Sequence, residues 1–295
     1  MLPRIALFSV SFLWGISFVF TKGYLDVLNP ITFTAYTFLV LGFLFLAIVL
    51  FKGKKFSFRL REGVLLGAML FLLEAPQTIG LSQTTAANTA FITALGILLI
   101  PFLERALYGH KIKFVTLFAL AIAFGGMHLL TGGIQHFNEG DMWVVVAAVG
   151  ALFYMVFSEH FEKEKKSDMS VLCAQQFLAV GAISLLVAFI SKAPLGLQTA
   201  DGSWLPFIYL TVFFSVIPYI LLQWAERYAD EVKITFYSTL EPLVGGMAAW
   251  TIGAEIATPS MVFGGALIVL ALMLSEYRRS GLKKSARVVP GRTVS

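Results

Sequence analysis

Long apolar runs, broken only by short polar stretches, fill the chain from Ile5 to Leu274. A helix needs about 20 apolar residues to cross the hydrocarbon core, whereas a barrel strand needs about 9–11. Only helices and closed barrels satisfy every backbone group in lipid. The runs are too long for barrel strands. The pattern therefore predicts an all-α integral membrane protein with ten transmembrane helices. They are placed at 4–21, 31–51, 63–81, 88–108, 114–132, 142–158, 170–191, 204–225, 233–252 and 260–277. The first run follows a single Arg4 and has the outline of a signal peptide. Nothing after Trp14-Gly15 reads as a cleavage site, so it is taken as a retained span.

Charge placement tests the count. With a cytoplasmic N-terminus, alternate loops hold Arg4; Lys52, Lys54, Lys55, Arg59 and Arg61; Arg105, Lys111 and Lys113; Lys163, Lys165 and Lys166; Arg227 and Lys233; and the six basic residues of the tail. That is 20 of the 22 Lys and Arg residues, with only Lys22 and Lys192 outside. The positive-inside rule then predicts cytoplasmic N- and C-termini and an even number of spans. One missed span would scramble the alternation. The tail from Arg278 is expected to be a disordered, basic, lipid-facing extension.

Composition agrees. Of 295 residues, 58% are hydrophobic and 13% charged, against about 25% charged in a soluble domain. One soluble core of this size could not hide 28 Phe residues. The net charge of +5 is explained by the loops and tail, so no nucleic-acid partner is expected. The lone Cys173 excludes an internal disulfide and reads as a small buried hydrophobe. His110, His128, His136 and His160 form no metal-ligand spacing, and no metal or cofactor is predicted.

An internal repeat is visible. Ala90-Phe91-Ile92-Thr93-Ala94-Leu95 in the fourth span resembles Thr235-Phe236-Tyr237-Ser238-Thr239-Leu240 in the ninth. The same offset of 145 pairs Leu98 with Leu243 and His110 with Glu255. Mapping span four onto span nine implies two halves of five, at 1–133 and 134–278, with 279–295 as the tail. An odd number of spans per half forces opposite orientations. This is the inverted-repeat plan of many secondary transporters, with the site at the midplane between halves.

Ionisable groups deep in a span are costly and mark function. Glu74 lies near the middle of span three and Glu241 near the middle of span nine, and no Lys or Arg lies at comparable depth. Each glutamate then holds a proton or meets a cation from the substrate, which makes both candidates for proton coupling. The alternative is a neutral glutamic acid bonded to a nearby carbonyl. Pro76, Pro101, Pro218 and Pro242 lie beside or within these spans. They would free the carbonyls of Leu72, Ile97, Phe214 and Ser238, either to line a cavity or meet a neighbour, or merely to kink the helix.

Other residues share faces with them. Trp14 and Phe18 do so on span one, Glu74, Gln77 and Thr78 on span three, Tyr219 and Gln223 on span eight, and Tyr237 and Glu241 on span nine. Asn88 and Phe91 open span four, and Tyr154 lies in span six. Rings beside carboxylates suit a cation; lipid contact is the competing reading for each ring. Trp204 reads as an interface-belt residue. Gly63 and Gly67 have helix-packing spacing. The candidate substrate site is Glu74, Trp14, Phe18, Gln77, Asn88, Phe91, Tyr154, Tyr219, Tyr237 and Glu241.

The motif order resembles the drug/metabolite transporter superfamily, in its ten-helix branch with two EamA-type repeats. The resemblance rests on Trp14-Gly15 with Ser17-Phe18, Asn29-Pro30, the stretch from Gly80 to Thr93 followed by Pro101, Gly140-Asp141, Leu240-Glu241-Pro242-Leu243, Gly253-Ala254-Glu255 and Gly264-Gly265-Ala266-Leu267-Ile268. It covers nearly the whole chain. Many members carry an Arg about seven residues after the span-two proline; here that neighbourhood is Tyr36-Thr37. The resemblance implies alternating-access transport of a small metabolite, such as an amino acid or amine, across an inner (plasma) membrane. An exporter or a proton/substrate exchanger fits best. An exchanger of phosphorylated or nucleotide-linked metabolites would want basic groups at the site. A membrane enzyme would need a nucleophile with its base, or a metal set, and neither is found. A non-transporting sensor would need a soluble domain to report to. Monomer and homodimer both stay open.

Overall fold

The computed structural model describes residues 2–109, 111–163, 168–197, 204–226, 228 and 237–287. Those residues are helical, with short turns and no strand among them. The helices are α1 Leu2–Leu25, α2 Pro30–Phe51, α3 Leu60–Gln83, α4 Ala86–Tyr108, α5 Phe114–Leu130, α6 Glu139–Lys163 and α7 Met169–Ile190. Helix α8 comprises Leu205–Thr211, a π turn at Val212–Val216 and Ile217–Glu226. Then come α9 Glu241–Thr251 and α10 Pro259–Arg287.

Seven of these helices, α1–α4 and α6–α8, are long and apolar enough to cross a membrane. The apolar α5 and the Pro259–Ser275 part of α10 are shorter. The predicted span at 233–252 is interrupted: Tyr237 and Ser238 are helical, a turn follows at Thr239–Leu240, and α9 begins at Glu241. Residues 233–236, including the repeat residues Thr235 and Phe236, lie outside the described residues, as do His110, Lys165, Lys166, Arg227 and 288–295. The expectation of a disordered tail from Arg278 is corrected as far as Arg287, to which α10 continues as helix. The stretch from Arg278 to Arg287 holds no proline, and most of its residues are good helix formers.

Local sequence explains the starts. The Asn29 side chain accepts from the Ile31 N–H at 3.1 Å, with Pro30 in the first turn of α2. Thr85 caps α4 by accepting from Asn88 N at 2.9 Å, and Asp168 caps α7 through Ser170 N at 3.0 Å. Such caps satisfy donors that the helix itself leaves unpaired. Outward, the surface is apolar: Phe43, Phe118, Phe124, Phe189 and Phe263 are exposed. Hydrocarbon is the solvent in which that surface costs nothing.

The most extensive packing joins the first five helices to the last five: α2 to α7, α3 to α6 and α7, α4 to α6 and α9, α5 to α10, and α1 to α8 and α9. Lipid gives these helices no hydrophobic reason to associate, so close contact of small residues must hold them. A Cβ on Gly42 would press on Leu178, and one on Gly181 would press on Leu39. In the same way, Gly126 and Gly264 each lie against the other's carbonyl oxygen. Gly63 and Gly67 pack on Gln175, Gln176 and Ala179 of α7.

One end of the bundle is tied by a polar knot. The Glu255 carboxylate accepts from Ala86 N at 2.6 Å and Ala87 N at 3.2 Å, at the N-terminus of α4. Lys22, at the end of α1, lies 3.4 Å from Glu255 and donates to the Thr84 carbonyl at 2.5 Å. The fully buried Asp141 accepts from Thr84 Oγ1 at 2.6 Å, Asn88 Nδ2 at 3.0 Å and Asn138 N at 3.1 Å. The knot thus ties α1, the α3–α4 turn, α6 and the segment after α9.

Substitutions at the seam and at the knot separate the two kinds of contact. Gly126→Leu should lower thermal stability in detergent, at a cost of roughly 1–3 kcal/mol. Gly125→Leu should not, because a Cβ there meets nothing within 4 Å; equal melting points for the two variants would refute the close approach. Glu255→Ala should cost about 1.5–3 kcal/mol through its charge-assisted hydrogen bonds. Lys22→Met should cost less, since Lys22 is partly solvated. Chemical unfolding of both variants reads the difference.

Candidate functional site

A cavity of about 330 Å³ lies inside the bundle, lined by residues of α1–α4, α6, α8, α9 and the turn before α9. It is at the small end of the ~300–1,000 Å³ range of ligand pockets. Eight of the ten predicted site residues line it: Trp14, Phe18, Glu74, Gln77, Tyr154, Tyr219, Tyr237 and Glu241. Asn88 and Phe91 do not. Asn88 is buried in the polar knot, bonded to Asp141 and Thr84. Phe91 is packed away in the core against Gly246, Gly265 and Trp250. Both sit one face around α4 from the lining residues Ala90, Thr93, Ala94 and Ile97.

Helix periodicity builds the walls. On α1, Leu7, Ser11, Trp14, Phe18 and Thr21 recur at three- and four-residue steps, so they form one stripe. On α3 the stripe is Leu70, Leu73, Glu74, Gln77, Thr78 and Leu81. These two stripes hold most of the polar wall on the first half of the chain.

Tyr219 is the hub. It lines the cavity together with Glu74. Its ring meets Trp14 edge-on at 5.3 Å and Phe177 at 4.7 Å, and Phe38 lies at 6.4 Å. Glu241 lines the same cavity as Glu74 and Tyr219, although the two glutamates are 167 residues apart in the chain. Both glutamates are half-buried and line the cavity.

The helix breaks are at the cavity as well. Glu241 stands in the first turn of α9, with Pro242 beside it. A carboxylate there is favoured by the helix dipole. The preceding turn is held to α1 by Ser11, whose hydroxyl donates to the Tyr237 carbonyl at 2.8 Å. In α8 the π turn precedes Pro218, and Ile217 N bonds to Val212 O five residues back. The turn thereby absorbs the hydrogen bond that Pro218 cannot make. Of the carbonyls that the prolines would free, that of Leu72 meets a neighbour: its peptide lies against Gly150 of α6, where a Cβ on that glycine would collide with it. That carbonyl faces a neighbouring helix.

Hydroxyls complete the wall, and none of them is among the ten predicted residues. Ser17, Thr34 and Thr78 donate to carbonyls of their own helices, Trp14 at 2.6 Å, Pro30 at 3.0 Å and Glu74 at 2.8 Å. By contrast, Thr37 and Thr93 line the cavity with buried hydroxyls that have no protein partner. A signal for Ser11 and Thr21 exists in the sequence, because both fall on the Trp14–Phe18 stripe. No Lys, Arg or His lines the cavity among the described residues. Nor do any of them group His, Cys, Asp and Glu as a metal site would. Cys173 is buried behind the wall, with the Gln223 and Gln176 amides 3.6 and 3.7 Å from its sulfur.

Comparison with known proteins places this geometry. A transporter of Archaeoglobus fulgidus with no assigned substrate is 28% identical over 272 residues, covering 91% of this chain and 84% of the relative. The inner membrane transporter YedA of Escherichia coli K12, also without an assigned substrate, is 21% identical over 91% of this chain and 89% of its own length. A protein of Chlamydia muridarum named as an S-adenosylmethionine/S-adenosylhomocysteine transporter is 21% identical, covering 92% of each chain. A crystal structure superposes with a TM-score of 0.64 at 20% identity, over 92% of this chain and 96% of the other, and so shares the fold. The EamA-like transporter family matches residues 2–132 and 138–277, and the chain belongs to that family of multi-span membrane transporters.

Proposed function

We propose that the protein is a secondary transporter that moves a small metabolite, an amino acid, amine or related compound, across an inner membrane by alternating access. The observation that carries this reading is the internal cavity, with a carboxylate from each half of the chain. Its substrate-contacting residues would be Glu74, Glu241, Trp14, Phe18, Gln77, Tyr154, Tyr219 and Tyr237. Glu74 and Glu241 would carry protons, making the protein an exporter or a proton/substrate exchanger.

The packing supports two inverted halves of five spans each. Advancing every helix number by five turns the α3–α6 contact into α8–α1 and the α4–α6 contact into α9–α1; α2–α7, α5–α10 and α4–α9 map onto themselves. The glycine contacts behave alike. Gly42 and Gly181 are 139 positions apart, as are the residues they meet, Leu39 and Leu178. The two separate matches to the family support the same division. In this reading α9 and the turn before it are the ninth of ten spans, and both termini are cytoplasmic. The polar knot of Lys22, Glu255 and Asp141 then closes the outer end and must loosen when the cavity opens outward.

The reading is tested by flux into proteoliposomes with and without an imposed pH gradient. Glu74→Gln should lower gradient-driven flux at least tenfold while the purified variant keeps its size-exclusion profile. Unchanged flux would remove Glu74 from the mechanism. Selective uptake of sugar phosphates would favour the phosphorylated-metabolite alternative instead. For the topology, green fluorescent protein fused to the C-terminus should fluoresce, and alkaline phosphatase fused there should be inactive. The reverse pattern would turn the protein over in the membrane.

A further inference from the structure

We infer that the cavity selects an organic cation that carries no carboxylate or phosphate: an amine, amidine or guanidine compound rather than an amino acid. The inference rests on the transporter reading and narrows its substrate class. Glu74 and Glu241 supply two acidic groups to one space of about 330 Å³. Among the described lining residues no basic side chain balances either of them. Along the chain, the nearest basic residue to Glu241 is Lys233, eight positions earlier, and the nearest to Glu74 is Arg61. Lys22 adjoins the lining residue Thr21, but it is committed to Glu255 and the Thr84 carbonyl at the end of the bundle.

The other polar groups among the described lining residues are neutral. Gln77 and the hydroxyls of Thr37 and Thr93 can donate or accept, yet none carries a positive charge to meet an anionic substituent. An incoming carboxylate would stand near Glu74 or Glu241 in a medium of low dielectric constant, where like charges repel strongly. An ammonium or guanidinium meets the opposite situation. Either carboxylate pairs with it, and the rings of Trp14, Tyr154, Tyr219 and Tyr237 around them offer π faces. Much of the remaining wall, Leu7, Val10, Ile97 and Leu222 among it, is apolar, and its serines and threonines are uncharged. It suits a carbon skeleton better than a hydrated metal ion. Two carboxylates also leave room for two modes: a dication that pairs with both, or a monocation with a proton on the second.

Matched pairs isolate the carboxylate. Flux of radiolabelled cadaverine and lysine, tyramine and tyrosine, and agmatine and arginine is measured with the full-length protein in proteoliposomes, alongside ligand-induced shifts in melting temperature. In at least one pair the decarboxylated member should move at least tenfold faster than its amino acid. That amine should raise the melting temperature of the wild type but not of Glu74→Gln or Glu241→Gln. If a glutamine variant folds poorly, the wild type alone still decides: the amine should stabilise it and the matching amino acid should not. Should the amino acids move as fast as the amines or faster, the inference falls while transport stands. Should only other solutes move, the result is the same. Amine stabilisation that needs Glu74, without any flux, keeps the cation site and sinks the transporter reading.

Discussion

A carboxylate at membrane depth must find a partner inside the protein, and the centre of this bundle is organised around two of them. Hydrocarbon offers Glu74 and Glu241 neither water nor a counter-ion. Tyr219 lines the cavity with Glu74 and is itself wedged by Trp14, Phe38 and Phe177. Glu241 sits where the helix dipole favours an acid, at the start of α9. That position exists because the chain turns at Thr239–Leu240, and Ser11 of α1 holds the turn by the Tyr237 carbonyl. The site is therefore not an addition to a finished scaffold. The break in one helix and the stripe on another are the same feature that brings the acids together.

Packing decides where the free space lies. Glycine contacts bring α2 against α7 and α5 against α10 closely enough that a methyl group would collide. Nothing comparable fills the middle, where Trp14, Glu74, Tyr154 and Tyr219 line the cavity. Tight seams around a loose centre suit a structure whose parts move as units. The polar knot adds a second kind of contact at one end, ionic and hydrogen-bonded, where Glu255 meets both Lys22 and two N–H groups of α4. Contacts of that kind break and reform without disturbing a packed core.

Much of this is legible in the residues. Hydrophobic run length locates most of the helices to within a few positions, since lipid imposes length directly. Period 3.6 puts Trp14 and Phe18 on one face, and Glu74 with Gln77, correctly toward one another. Asn88 and Phe91 mislead for a physical reason. Both follow the motif that opens α4, but a helix start presents every face within one turn, and only tertiary packing decides which face meets the cavity. Here Asn88 goes to Asp141 and Phe91 to the glycines of α9 and α10. The turn at Thr239–Leu240 is hidden because Glu241-Pro242 reads equally well as a kink inside a helix or as a helix start. The partnership of Lys22 with Glu255 is out of reach, since no local pattern pairs residues 233 positions apart.

Alternating access requires a cavity open to one side of the membrane at a time. Single cysteines at Ser11 and Thr21, near opposite ends of the α1 stripe, test this most directly in a Cys173→Ser background. Sealed vesicles of known orientation are treated with a membrane-impermeant thiol reagent from each side. Without substrate, a cysteine at position 11 should react from the cytoplasmic side while position 21, beneath the Lys22–Glu255 knot, stays protected. Substrate or an opposing proton gradient should then raise labelling at 21 from outside as labelling at 11 falls. Simultaneous labelling of both positions from their own sides would describe an open pore and contradict alternating access.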